Sequence, residues 1–416
     1  MPHTAKAKDG SVGPRVFMMD LWATVPYYTA YLSRALLAAG VRVQIGSITY
    51  YLDRDCFHAR GLRLQPGCSD LVGKLNLPRL ARRVLKLLEG GLNLLALGLR
   101  FAFSPPEIVH VQFLPLLRSR LPLDLWFARF CRKRGSRLIL TVHDLLPHDT
   151  GQEHMAVYVG LYAEMDGLIC HSAHIRSRLM EEFGVPEAKI SVIPHGPFFY
   201  DLPLGNLGEA TELLGVPAGQ RVVLWQGIIF PYKGVDLLLK AWEIVEATSH
   251  DVTLVVLGTG DPVLLNQLEQ QARELGLRRV QFHFRFCSTA ELVSAYRAAT
   301  VVVYPYRAIT TSGALATGLA LGKAIVASDL PVFQELLIHE ENGLLVDPQA
   351  PDALAAALLR AAQDPELRER LSRKVAAMRF GDQSWAEIAR STLTVYQRVM
   401  GQPEVQAADE ASPRSL

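Results

Sequence analysis

The sequence predicts an α/β protein built from two doubly wound parallel sheets, and three observations carry that expectation. Short, continuously apolar runs rich in Val, Ile and Leu recur in two rounds of six, with helical stretches between them. That is the pattern of parallel strands covered on both faces. The chain has 416 residues, 50% of them hydrophobic, which is ample for a large core and too long for one typical domain. Its formal net charge of +2 is also divided: residues 1–200 hold 24 Lys and Arg against 16 Asp and Glu (+8), leaving 19 against 25 (−6).

The first round of strands is expected at 15–19, 41–46, 108–112, 137–142, 167–171 and 191–193, within an amino-terminal domain of residues 12–197. Residues 198–219 contain Pro and Gly without a strong period and read as a linker. The second round falls at 222–226, 252–257, 280–283, 301–304, 324–327 and 344–346, in a carboxy-terminal domain of residues 220–380. Each round is a Rossmann-like unit. Helical pattern then continues over 381–400, and the polar tail 401–416 is expected to be disordered. The most apolar stretch, 84–103, contains Lys86, Glu89, Arg100 and glycines, so it reads as a core or interface helix and not a membrane span. The start of the chain, with Lys6, Lys8 and Asp9, lacks the long apolar core of a secretory signal. Five scattered cysteines without a CxxC pair fit reduced thiols in a cytoplasmic protein.

Two elements of the second round are suited to phosphate. After strand 301–304, a Thr-Thr-Ser-Gly turn opens a small-residue helix, so the backbone N–H groups of Thr311, Ser312 and Gly313 lie at a helix start. Such groups lack intrahelical partners and carry the positive end of the helix dipole. An ordinary N-cap is the plainer alternative. After strand 222–226, Gly227 begins a loop that places Lys233 just ahead of the next helix, where it can bring a compact positive charge to a diphosphate. Leu257-Gly-Thr-Gly260 ends another strand between them. Arg307 precedes the Thr-Ser-Gly turn and either adds positive charge there or is a solvated loop residue.

Together with Thr141-Val-His-Asp144, Asp166-Gly-Leu-Ile-Cys-His-Ser172 and Ile193-Pro-His-Gly196, these motifs resemble a retaining GT-B glycosyltransferase, similar to family 4, over roughly residues 12–400. The resemblance implies two Rossmann-like domains facing across a cleft, with the last helix packed back on the amino-terminal domain. It implies a nucleotide-sugar donor, a glycan or lipid-linked acceptor, and transfer with retention of anomeric configuration, of the kind used in polysaccharide biosynthesis. Residue by residue, His143 would hydrogen-bond the transferred sugar, and Lys233, Gly227, Thr311, Ser312, Gly313 and Arg307 would hold the diphosphate. Arg285, Phe286 and Thr317 would lie near the base and ribose. The acceptor side would lie near Thr24, Tyr27 and Tyr28, whose aromatics either stack on a sugar or belong to the core. The chain departs from the family where its Glu-x7-Glu signature should stand: those positions are Ile309 and Thr317, and the Arg that often follows the loop glycine is Ile228.

No metal and no separate cofactor are expected, since no His, Asp and Glu group has ligand spacing on one element. Basic clusters at Arg79, Arg82, Arg83 and Lys86, and at Arg118, Arg120, Arg129, Arg132, Lys133, Arg134 and Arg137, either are solvated helix faces or bind an anionic surface. The second case would make the protein peripheral at the inner face of the membrane. Nucleic acid is not expected, because no recognition module accompanies the charge. Two other classes remain open: a non-catalytic nucleotide-sugar binder or scaffold of the same fold, and a nucleotide-sugar epimerase.

Overall fold

The computed structural model describes residues 13–147, 152–201, 207–378 and 382–402. The amino-terminal sheet contains β1 (Arg15–Met19), β2 (Arg42–Gly46), β3 (Ile108–Val111), β4 (Arg137–Thr141), β5 (Gly167–Cys170) and β6 (Ile190–Val192). The carboxy-terminal sheet contains β7 (Arg221–Gln226), β8 (Val252–Gly258), β9 (Val280–Phe284), β10 (Ala299–Tyr304), β11 (Ala324–Ser328) and β12 (Leu344–Val346). All pairings are parallel, in the orders β2-β1-β3-β4-β5-β6 and β12-β11-β10-β7-β8-β9. The strand order reverses between β1 and β3 in one sheet and between β7 and β10 in the other. Crevices at such switch points, outside the carboxyl ends of the strands, are where open α/β sheets bind ligands. Strand interiors such as Val16–Met19 and Val301–Tyr304 are fully buried, as continuous apolar runs in a two-sided sheet require.

The helix Asp382–Val399 packs on Pro26–Ala38 of the amino-terminal domain, placing Trp385 and Tyr396 in that domain's core. The segment read as linker is not all linker. Within it, Leu207–Leu213 is a helix packed on Thr289–Ala298, and Leu214 O accepts from His283 Nε2 at 3.1 Å, so these residues belong to the second domain. The tail beyond Gln402 lies outside the described residues.

The stretch 84–103 is part of one long helix, Arg79–Phe103, whose Lys86, Glu89 and Asn93 point inward. Glu89 accepts from the Ser69 hydroxyl and from the N–H groups of Leu71 and Val72, while Asn93 holds Cys68 and Ser69. Lys86 donates to Trp22 O at 2.6 Å, and Arg82 donates to Leu77 O and lies over the Tyr51 ring. This corrects the expectation of a free basic cluster, since Arg82 and Lys86 are tied into the domain. In the second cluster, Arg129 is paired with Glu164, and Arg132 and Arg137 with Asp166. All five cysteines are free thiols. Among the described residues, no helix is long and apolar enough to cross a membrane.

Candidate functional site

The loop between β7 and the helix Val235–Thr248 is shaped by two glycines. Gly227 has φ +146°, and a β-carbon there would sit 3.2 Å from Lys233 Nζ. Gly234, at φ +68°, passes so close to Pro305 that a β-carbon would overlap its carbonyl oxygen. Only glycine combines these conformations with these approaches. Between them, the turn Pro231–Lys233 delivers the Lys233 ammonium beneath Gly227. Burial lowers the pKa of Lys233 to about 8, with the charge of Asp144 opposing the shift. No hydrogen bond to Nζ is present among the described residues. The Tyr306 ring, 5.6 Å from Nζ, meets this part-buried ammonium only weakly, and an anion beside it would stabilise its charge.

The helix Gly313–Ala320 follows β10 and is capped by Ser312, whose Oγ accepts from Leu315 N at 3.1 Å. Ala316 N donates to Ser312 O, and the N–H groups of Gly313 and Ala314 have no partner among the described residues. Both residues line a cleft of about 320 Å³ between the domains. The cleft also contains Thr24, Tyr27, Tyr28, His143, Gly227, Arg285, Phe286 and Thr317 from the expected set. Four expected residues stand outside its lining. Thr311 and Ser312 lie just before the helix, so the donors that face the cleft are those of Gly313 and Ala314. Lys233 lies behind Gly227. Arg307 is occupied elsewhere: its guanidinium pairs with Asp236 at 2.8 and 2.6 Å and donates to Pro231 O. It braces the Lys233 turn instead of reaching toward an anion in the cleft.

Thr317 is buried, and its hydroxyl is already engaged. It donates to Gly313 O at 2.7 Å and accepts from Phe198 N at 3.1 Å, linking the helix start to the other domain. Arg285 donates to Glu291, which holds that carboxyl down at about 2. The described residues lining the cleft include no Asp or Glu, which agrees with Ile309 and Thr317 standing at the positions of the family's paired acids.

On the amino-terminal side, Asp20 sets the loop after β1 by accepting from Thr24 N, Val25 N and the Thr29 hydroxyl. Burial raises its pKa to about 6 against the pull of those bonds. The loop presents Tyr28, whose ring meets His143, His171 and His195 at centroid distances of 4.7, 5.3 and 5.0 Å. Burial holds all three imidazoles below the usual histidine range, so they are neutral at pH 7. His171 is anchored to Ile193 O and His195 to Gly196 O, while His143 reaches Gln112 Oε1 at 3.3 Å. Thr24, Tyr27 and Tyr28, expected on the acceptor side, line this same cleft.

A second cavity of about 500 Å³ opens on the other side of His143. Its walls include Leu114, Leu117 and Tyr158 of the amino-terminal domain and Phe230 and Tyr232 of the Lys233 loop. The Phe230 and Tyr232 rings stack at 5.6 Å and 9°. His143 lines both chambers, and is the wall between them. Sequence reasoning missed this cavity and Ala314. The aromatic pair flanking Pro231 and the apolar run Leu114-Pro-Leu-Leu117 were its visible signals.

Comparison with known proteins agrees with this architecture. The family described as Glycosyltransferase Family 4 matches residues 25–196, and the family described as Glycosyl transferases group 1 matches residues 210–378. A glycosyltransferase of Methanocaldococcus jannaschii is 28% identical over 264 residues, 62% of this chain and 66% of its own length. The phosphatidyl-myo-inositol mannosyltransferase of Mycolicibacterium smegmatis is 30% identical over 256 residues, 59% of this chain and 62% of its own. The chain thus spans just under two thirds of the length of these curated relatives. Among solved structures, Anabaena HepE in complex with UDP-glucose superposes with a TM-score of 0.69 at 19% identity, covering 91% of this chain and 98% of that one. With both domains matched, the chain belongs to the GT-B glycosyltransferases of family 4 type.

Proposed function

We propose that the protein transfers a sugar from a nucleotide-sugar bound in the 320 Å³ cleft to an acceptor hydroxyl presented from the 500 Å³ cavity, with retention of anomeric configuration. The observation that carries this reading is the part-buried Lys233 ammonium beneath Gly227, without a hydrogen bond among the described residues, beside a cleft lined by Gly313 and Ala314, whose N–H groups have no partner among the described residues. As the bond from the sugar's anomeric carbon to the diphosphate breaks, its electron pair stays on the phosphate oxygen. Preorganised donors stabilise that growing charge more than the ground state. The acceptor oxygen bonds to the anomeric carbon on the same face, and its proton passes to the departing phosphate. Neutral His143, standing between the chambers, holds a sugar hydroxyl. The UDP-glucose bound by Anabaena HepE and the inositol lipid named for the mycobacterial relative suggest a nucleoside diphosphate sugar as donor and a lipid-linked or polyol acceptor. The five free thiols favour a reducing, cytoplasmic compartment.

A panel of nucleotide-sugars tests the reading in two steps. Binding is read as a rise in melting temperature, since a ligand of the native state stabilises it. Turnover is read as release of nucleoside diphosphate. Failure of every sugar nucleotide to bind would overturn the proposal. Binding without release would favour a non-catalytic member, a reading supported by the lack of acidic residues at Ile309 and Thr317.

A further inference from the structure

The helix Arg79–Phe103 is inverted relative to an ordinary surface helix. Its 25 residues span about 37 Å. Its inward face carries Lys86, Glu89 and Asn93, each bonded to the loops beneath. Its outward face carries Leu80, Leu88, Leu92, Leu95, Leu99 and Phe103, which are between 58% and 91% exposed. At 100° per residue these positions share one side of the helix, forming a continuous apolar stripe. Leu71 and Leu75 extend it at one end. The neighbouring helix Leu123–Lys133 packs against the same element, with Phe127 edge-on to Phe101's neighbour Phe17, and leaves Trp126 half exposed. So large an exposed apolar surface marks an interaction site.

We infer that this stripe lies in the interfacial layer of an anionic bilayer, with the helix parallel to the membrane plane. The charges the helix exposes, Arg83 and Arg100, are basic, and its one acid, Glu89, is buried. They match anionic headgroups at the rim of an inserted apolar face. A second copy of the chain fits less well, because a two-fold interface would set this basic rim against itself. The inner face, fastened through Glu89 and Asn93 to residues 68–72, keeps the helix on the surface of the domain. This inference stands apart from the transfer chemistry, since it concerns no residue of either chamber.

Flotation of the purified protein with phosphatidylglycerol-containing vesicles tests it. Wild type floats and stays largely bound at 0.5 M NaCl (about 3 to 4 times physiological ionic strength), because insertion is apolar and only its rim is screened. The combined variant Leu88→Gln, Leu95→Gln, Leu99→Gln weakens vesicle binding by at least about 100-fold, with melting temperature and nucleotide binding retained. Arg83→Glu weakens it about tenfold at low salt. Absence of flotation by wild type at low salt overturns the inference. So does loss of binding by the triple variant accompanied by loss of its fold, if Leu95→Gln alone, folded, binds as wild type. A concentration-dependent dimer in sedimentation that the triple variant abolishes, without vesicle binding by wild type, would identify a second copy as the occupant.

Discussion

The Thr289 hydroxyl of the carboxy-terminal domain donates to Asp53 Oδ2 of the amino-terminal domain across 3.1 Å. The same oxygen accepts from Tyr27 OH at 2.9 Å, so one carboxylate ties the cleft wall to the start of the opposing helix. A hydrogen bond to a charged acceptor contributes about 1.5–3 kcal/mol. Thr289→Val is therefore expected to shift the domains toward an open arrangement, with donor KM rising on the order of tenfold and melting temperature nearly unchanged. A KM equal to that of wild type, with the same radius of gyration in solution scattering, would remove this bond from cleft closure.

Lys233→Ala removes the ammonium beneath Gly227 while leaving the fold, because the turn is held separately by Arg307 and Asp236. Loss of one oxyanion donor typically lowers kcat on the order of 100-fold, and that is the effect expected here. Steady-state kinetics with the best donor decide the matter; a change of only a few-fold would place the diphosphate elsewhere.

The same ammonium gives donor binding a pH dependence of defined sign. Burial holds its pKa at about 8, and a diphosphate bound beside it would raise it. Affinity should accordingly be constant below pH 8 and fall as pH rises above it, with proton uptake on binding near pH 8. Calorimetry in buffers of different ionisation enthalpy measures that uptake. Affinity independent of pH between 7 and 9.5 would contradict the assignment.

Ser312→Ala and Gly313→Val separate capping from access. Loss of the Ser312 cap should cost about 1 kcal/mol of stability, with nucleotide binding kept. A β-carbon at Gly313 would come within 2.7 Å of Phe198 Cε2 and 2.9 Å of His195 Cε1, so Gly313→Val should abolish nucleotide binding. Tight nucleoside diphosphate binding by that variant in calorimetry would show that the phosphate rests on another element.

Transfer is expected to persist in excess EDTA. Lys233 and the Gly313 helix start supply positive charge at the leaving group, the task a divalent ion performs in other transferases. Full loss of activity on chelation, restored by manganese or magnesium, would show that an ion carries part of that charge.

Every strand could be read from the sequence to within two residues, because β-branched apolar runs are a local signal. The helix start at Ser312 and Gly313 was legible for the same reason, since capping is chemistry over three residues. What escaped depends on distant partners. Arg307 was read either as a ligand for phosphate or as a solvated loop residue, and Asp236, from another element, takes its guanidinium. The second cavity combines Leu114 with Phe230, which lie in different domains. The stretch 84–103 was legible as a core or interface helix, but not which side faces inward; the loop 68–72 takes Glu89, Trp22 O takes Lys86, and the leucines turn outward.

Trp385 donates its indole N–H to Pro197 O at 2.7 Å, and Gly196 leaves so little room that a β-carbon would overlap the indole ring. Pro197 lies where the chain leaves the amino-terminal domain, and Trp385 lies where it returns. This clasp is continuous with the cleft wall, because the Tyr27 ring lies 4.9 Å from the Phe199 ring and its hydroxyl donates to Asp53, the acceptor of the Thr289 hydroxyl. One run of side chains thus joins the crossing between the domains to the contact that spans the cleft.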